Sequence, residues 1–244
     1  MKPLRIIRVV ADRLLPQRIV RLLWVAYGFL KPARRSWSQK GEDLLVQSHF
    51  DRLGLGTGTY LDIGCFHPTW ISNTHLLHRR GWRGFAIDID QYKLDSMKFA
   101  RRDRVECILG AVCGACEDGA TAAVYKFDRG LSDIDTLDLA SAEKYRAEGA
   151  GEFRREEVAL IDINRLMARI PHVDFLNIDI EGVDEAVIVA LDLARFRPAV
   201  VLFEDNDTWG GAPAVRAKLE AAGYERLFVS GGSICYALPP TAAG

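Results

Sequence analysis

Beyond residue 58, short apolar runs alternate with stretches in which apolar side chains return every three or four positions. Residues 59–63, 84–88, 105–112, 173–179 and 198–204 form the runs and read as strands. Residues 76–80, 92–101 and 214–222 carry the longer period and read as helices, the first and last stopped by Gly81 and Gly223. Residues 224–229 and 233–238 flank Gly231-Gly232 and read as a closing hairpin. This alternation predicts a mostly parallel sheet covered on both faces, a Rossmann-like, doubly wound α/β fold with an antiparallel C-terminal hairpin.

Upstream, Leu4, Ile7, Leu14 and Leu15 recur at helical spacing with arginines between them; Pro16 interrupts, and residues 19–30 resume the pattern. The expected organisation is a basic amphipathic helical arm over residues 1–37 and one α/β domain over 38–244. A helix through Leu44, Leu45 and Phe50 opens that domain. Residues 113–157 follow neither period and are expected to cross one face of the sheet as an excursion, with a helix near 141–147.

Charge separates the two parts. The 244-residue chain has a net charge of −1, but residues 1–35 carry nine basic residues against Asp12, a net +8 that leaves −9 on the remainder. The molecule as a whole therefore gives no nucleic-acid signal. No segment reaches the roughly 18–20 apolar residues of a membrane span, and Lys31-Pro32-Ala33-Arg34-Arg35 is unlike a signal-peptide cleavage site. The five cysteines are irregularly spaced and do not suggest a disulfide framework. Reduced thiols in a cytoplasmic protein are expected, the pair Cys113 and Cys116 included. The arm has three expected placements: packing on its own domain, pairing in a homo-oligomer, or peripheral contact with the inner face of an anionic membrane.

In an open α/β sheet, ligands bind beyond the carboxyl ends of the strands. Asp62, Asp88, Asp179 and Glu204 all fall at such ends. Four carboxylates in one layer call for solvent, a cationic ligand or a metal between them. The first turn, Asp62-Ile63-Gly64-Cys65-Phe66-His67-Pro68, has a single glycine. It lacks the GxGxxG fingerprint that lets backbone approach a pyrophosphate; an adenosyl ligand without phosphates has no such need. Asp88 follows Gly64 by 24 residues, about the interval at which an acid holds ribose hydroxyls. Helix capping by Asp62 and Asp88 is the alternative.

Ser38-Gln39-x-Gly-Glu42-Asp43, Tyr60-Leu-Asp62-Ile-Gly64, Ser72-Asn73-Thr74, Gly81-Trp82-Arg83-Gly84, Asp174-Phe-Leu-x-Ile-Asp179-Ile-Glu181-Gly182, and Arg197-Pro198 before Glu204 follow one another in the order seen in FkbM-type methyltransferases. The chain resembles that family over about residues 38–238. The resemblance implies a class I methyltransferase fold and S-adenosylmethionine as cofactor. It implies that Asp62, Gly64 and Asp88 line the cofactor site, with Gly110 and Ala111 near the adenine; Ser38 and Cys65 are counted with them. Family members usually carry Glu-Pro after the second strand, where this chain has Asp88-Ile89.

Asp179 and Glu181 fall where the cofactor's methyl group should face the acceptor, and they are the expected catalytic carboxylates. His67 is the third candidate for the base that takes a hydroxyl proton. Asp179 with Glu204, Asp205 and Asn206 makes an oxygen-rich set of the kind that holds Mg²⁺. The expected function is O-methylation of a hydroxyl on a sugar, glycan or other small-molecule acceptor. An N-methyltransferase and a non-catalytic cofactor-binding or assembly subunit are the alternatives.

Overall fold

The central strands are apolar on both faces, as parallel strands sandwiched between helices must be. In the computed structural model, which describes residues 15–30, 36–117, 119–127, 132, 134–180, 183–204 and 213–240, these strands run parallel in one seven-stranded sheet. Helix α1 (Gln17–Leu30) and α2 (Glu42–Arg52) precede β1 (Thr59–Ile63), α3 (His75–Arg79), β2 (Arg83–Asp88), α4 (Gln91–Arg101) and β3 (Val105–Leu109). Then come β4 (Ala111–Cys113), β5 (Thr121–Lys126), α5 (Leu139–Ala147), β6 (Arg154–Asp162) and α6 (Ile163–Arg169). The chain finishes with β7 (Phe175–Ile178), α7 (Asp184–Ala190), β8 (Val200–Glu204), α8 (Pro213–Ala221), β9 (Glu225–Ser230) and β10 (Ser233–Ala237).

The strand order is β3-β2-β1-β7-β8-β10-β9. All neighbours are parallel except β10, which is antiparallel to both β8 and β9. The chain winds outward from β1 to β3, then returns to build the other half from β7. The switch point therefore lies between β1 and β7, and a crevice opens beyond their carboxyl ends. On one face Leu61, Ile63, Leu176, Ile178, Val201 and Phe203 pack against Leu166, Ile188 and Leu219. On the other, Tyr60, Phe175, Val200 and Leu202 pack against Val46, Phe50, Leu77 and Trp82.

Four expectations are corrected. The run 105–112 is two strands, because Gly110 breaks it and β4 joins a second, three-stranded sheet of order β4-β6-β5. A Cβ at Gly110 would lie 2.4 Å from Ile161 Cδ1, so only glycine lets β6 come this close. The stretch 113–157 is not irregular: it contributes β5, α5 and the start of β6. Its strands escaped notice because they carry ion pairs rather than an apolar alternation, among them Lys126–Glu156 at 3.0 Å and Arg154–Glu156 at 2.5 Å. Helices α6 and α7 were not anticipated either; each is seven residues long, too short to show a period. Finally, Cys113 and Cys116 are joined as a disulfide rather than held as free thiols. The bend that follows β4 brings their Cα atoms to 6.3 Å, within bridging reach.

Helix α1 starts directly after Pro16, whose carbonyl accepts from Ile19 N and Val20 N. It lies on α4: Val20 and Val25 are buried, and Arg21 pairs with Asp95 at 2.5 Å above the Tyr92 ring. The expected helical turns before Leu15, and residues 31–35 of the arm, fall outside the described residues.

Candidate functional site

One cleft gathers most of the singled-out strand-end residues. Asp62, Ile63 and Gly64 line it from β1, Asp88 from β2, Asn177, Asp179 and Ile180 from β7, and Glu204 from β8. Cys65, Gly110 and Ala111 are also on its wall. Gly64 turns with φ +81°, and a Cβ there would lie 1.7 Å from the Asp179 carbonyl oxygen. The glycine is thus required for the β1 turn to sit against the end of β7. Phe66 and Ile71, both lining the cleft, hold positive φ angles of 41° and 51°. Such backbone costs about 1–3 kcal/mol per residue and collects at functional sites.

Asp62 caps no helix. Its carboxylate accepts from Thr74 Oγ1 at 2.5 Å and Asn177 Nδ2 at 2.9 Å. Burial raises its pKa, opposed by Arg101 and by these two hydrogen bonds. Arg101, the last residue of α4 and 1% exposed, reaches under the turn. It donates to Tyr60 Oη, Thr74 Oγ1, Ser72 Oγ and the Pro68 carbonyl at 2.8–3.0 Å. Ser72-Asn73-Thr74 is therefore a clamp: Ser72 and Thr74 accept from Arg101, Thr74 donates to Asp62, and Asn73 donates to Asn177 Oδ1.

Asp88 caps no helix either. The cap of α4 is Asp90, which accepts from Tyr92 N at 2.7 Å and pairs with Lys126 at 3.1 Å. Asp88 accepts instead from Phe66 N and Asp90 N, so it ties the β1 turn to the β2 turn. Lys93 stands 3.9 Å from Asp88 and 3.2 Å from Asp135. Burial alone would lower the Lys93 pKa, but Asp88, Asp135 and Asp90 raise it, and it stays charged. Burial raises Asp88, with Lys93 opposing. Asp135, Thr136 and Leu137 line the same cleft as Gly110 and Ala111.

At the other end, Asp179 and Glu204 face the cleft from adjacent strands. Just behind them is Asp184, 2% exposed, which accepts from Ile180 N at 3.4 Å. Burial first, then the Glu204 charge, push its pKa up to about 6. Glu181, Asp205 and Asn206 lie outside the described residues.

Two expected residues are not on the wall. Ser38 is buried in a loop cluster where it donates to Asp43 Oδ1 at 3.0 Å and accepts from Gly41 N; its neighbour Gln39 lines the cleft instead. His67 is fully buried, and its Nδ1 accepts from Thr69 N and Trp70 N. That fixes it as the anchor of the 67–70 turn, away from the cleft lining. Cys65 is buried, and burial first, then the charges of Asp88 and Asp62, hold its thiol well above the usual range. Among the described residues no group of three or more His, Cys, Asp or Glu is disposed to hold a metal ion.

Lys93, Asp135, Asn177 and Asp184 were missed in the sequence. Asn177 left a signal, a polar residue inside the apolar run 173–179.

A ribose bound to Asp88 would lose a charge-assisted hydrogen bond in Asp88→Ala, about 1.5–3 kcal/mol. The expected result is S-adenosylhomocysteine binding weakened about 10- to 100-fold by calorimetry. Unchanged affinity in a folded variant would remove Asp88 from the site.

Among curated proteins, none matches the chain significantly. Solved structures with a distant likeness include a TehB-like SAM-dependent methyltransferase from Corynebacterium glutamicum ATCC 13032, at 12% identity and a TM-score of 0.43, covering 91% of this chain and 98% of that one. Another is an O-methyltransferase from Bacillus cereus in complex with SAH, at 18% identity and a TM-score of 0.41, covering 95% and 96%. The family match is what decides. The Methyltransferase FkbM domain matches residues 62–226, from the acid at the end of β1 into β9. The chain belongs to the FkbM family of S-adenosylmethionine-dependent methyltransferases.

Proposed function

We propose that the protein methylates a hydroxyl oxygen on a sugar, glycan or other small-molecule acceptor. The observation that carries this reading is the pair Asp179 and Glu204, which line the cleft from the ends of the adjacent strands β7 and β8, while Asp88 lines it from β2 on the far side of β1. The lining suits a cationic ligand. Asp62, Asp88, Asp135, Asp179 and Glu204 are set against Lys93, whose charge is already engaged by Asp88 and Asp135. A pyrophosphate would meet repulsion here, and a sulfonium would not.

S-adenosylmethionine, when bound, supplies an electrophilic methyl group on sulfur. Asp88 would hold the ribose hydroxyls, with Gly110, Ala111 and Leu137 against the adenine. Asp62, held by Thr74 and Asn177, would face the amino-acid end. The remaining task is to orient the acceptor and take its proton. Positioning contributes much of the rate of an in-line displacement, and a carboxylate base within reach of the hydroxyl adds about 10²–10⁴-fold. Asp179 is the base in this reading. Glu204 and the buried Asp184 keep its surroundings negative, which favours proton uptake.

The test is mass spectrometry of products after incubation with methyl-labelled cofactor and paired acceptors bearing hydroxyls or amines. Label on oxygen is expected. Label on nitrogen alone would make the protein an N-methyltransferase. Cofactor binding with no labelled product from any acceptor would support the non-catalytic subunit.

A further inference from the structure

We propose that α1 is a docking helix for an anionic lipid surface, lying flat with its outer face among the headgroups. The helix turns the wrong side to water. Its inner face is taken up by α4, through Val20, Val25 and the Arg21–Asp95 pair. Its outer face carries Ile19, Leu22 and Leu23, which are 43%, 53% and 51% exposed, and Leu15 just before the helix is 37% exposed. At about 100° per residue, Ile19, Leu22 and Leu23 share one arc on the side away from Arg21. A helix that merely packed on its own domain would bury leucines and expose polar residues. Phe99 on α4 adds another exposed ring, 54% accessible, on the helix face that carries Tyr92 and Asp95.

Charge selects the occupant. No acidic residue occurs between Asp12 and Glu42, while residues 1–35 carry a net +8. A large aliphatic stripe within a uniformly cationic segment matches an anionic bilayer, where basic residues and buried leucines attract together. A second copy of this chain would bring the same cationic segment to a symmetric contact and repel it. The helix has 14 residues, about 21 Å at 1.5 Å each, too short to span a hydrocarbon core of about 30 Å. Among the described residues no helix is long and apolar enough to cross a membrane. The geometry suits lying on the surface.

The experiment is flotation of the full chain with vesicles of phosphatidylcholine alone or mixed with phosphatidylglycerol, at low and high salt. The full chain should float only with the anionic mixture, and less at high salt. The double variant Leu22→Glu, Leu23→Glu should lose at least about tenfold in vesicle-bound fraction. Both positions are exposed, and an unchanged melting temperature confirms that the variant is folded. The idea is overturned if the full chain stays with the sedimenting fraction, if neutral vesicles bind it equally, or if the variant floats like wild type. It is also overturned if the full chain is a dimer that the variant dissociates without any vesicle binding, because the stripe would then belong to a second copy.

Discussion

Replacing Asp179 by Asn should lower kcat about 10²- to 10⁴-fold, the usual contribution of a positioned base. Stability should change by less than about 1 kcal/mol, since Asn keeps the shape of Asp at a half-buried position. Asp179 N donates to the Ile63 carbonyl at 2.9 Å, and the Asp179 carbonyl fills the space that a Cβ at Gly64 would need. The acid is therefore held in register with the turn that would cradle the cofactor. Glu204→Gln should show a smaller loss, because Glu204 shapes the charge of that end without being the base. Two results would overturn the assignment. Full turnover by Asp179→Asn would do so. So would loss of wild-type turnover in EDTA with recovery in Mg²⁺, which would make Asp179 a ligand instead of a base.

Arg101→Met should destabilise the protein by about 3–5 kcal/mol, the cost of removing one partner from a buried charged network. For a chain of this size that is a fall in Tm of roughly 10 °C. Methionine fills similar volume, so the loss reports the guanidinium. Without it, Tyr60, Ser72 and Thr74 each lose a hydrogen-bond donor, and Asp62 loses its neighbouring positive charge. The pH dependence identifies the cause. The Asp62 pKa is already raised by burial above its usual 3.8, and removing Arg101 raises it further. A carboxyl raised on folding contributes stability that is present below its unfolded pKa and is lost as pH rises through the folded one. The variant should thus lie closer to wild type near about pH 4 than near about pH 8. Asp62→Asn added to Arg101→Met should recover part of the loss at the higher pH. A deficit below about 1 kcal/mol, independent of pH, would show that the network matters little.

The sequence determined the fold class and most strands of the main sheet. Parallel strands buried on both faces appear as unbroken apolar runs, so 59–63, 84–88, 173–179 and 198–204 stand out, and each carries an acid that faces the cleft at its last or next-to-last position. Gly231-Gly232 announced the hairpin in the same local way. The tertiary structure alone decided how those acids are held. Lys93 and Arg101 sit in a helix whose sequence, QYKLDSMKFAR, resembles any solvated amphipathic surface. They are buried because Asp135 and the 68–74 turn come back over them from elsewhere in the chain. Their hydrogen-bond partners lie 27 to 42 residues away, and no local period records such a pairing. The same limit hid β5 and β6, where charged side chains such as the cross-strand pair Lys126–Glu156 interrupt the hydrophobic pattern. His67, which has the chemistry of a base, is likewise not on the cleft wall, and its Nδ1 accepts from the backbone of its own turn. Apolar burial is written along the chain residue by residue; compensation of buried charge is a property of pairs, and only the folded chain brings the pairs together.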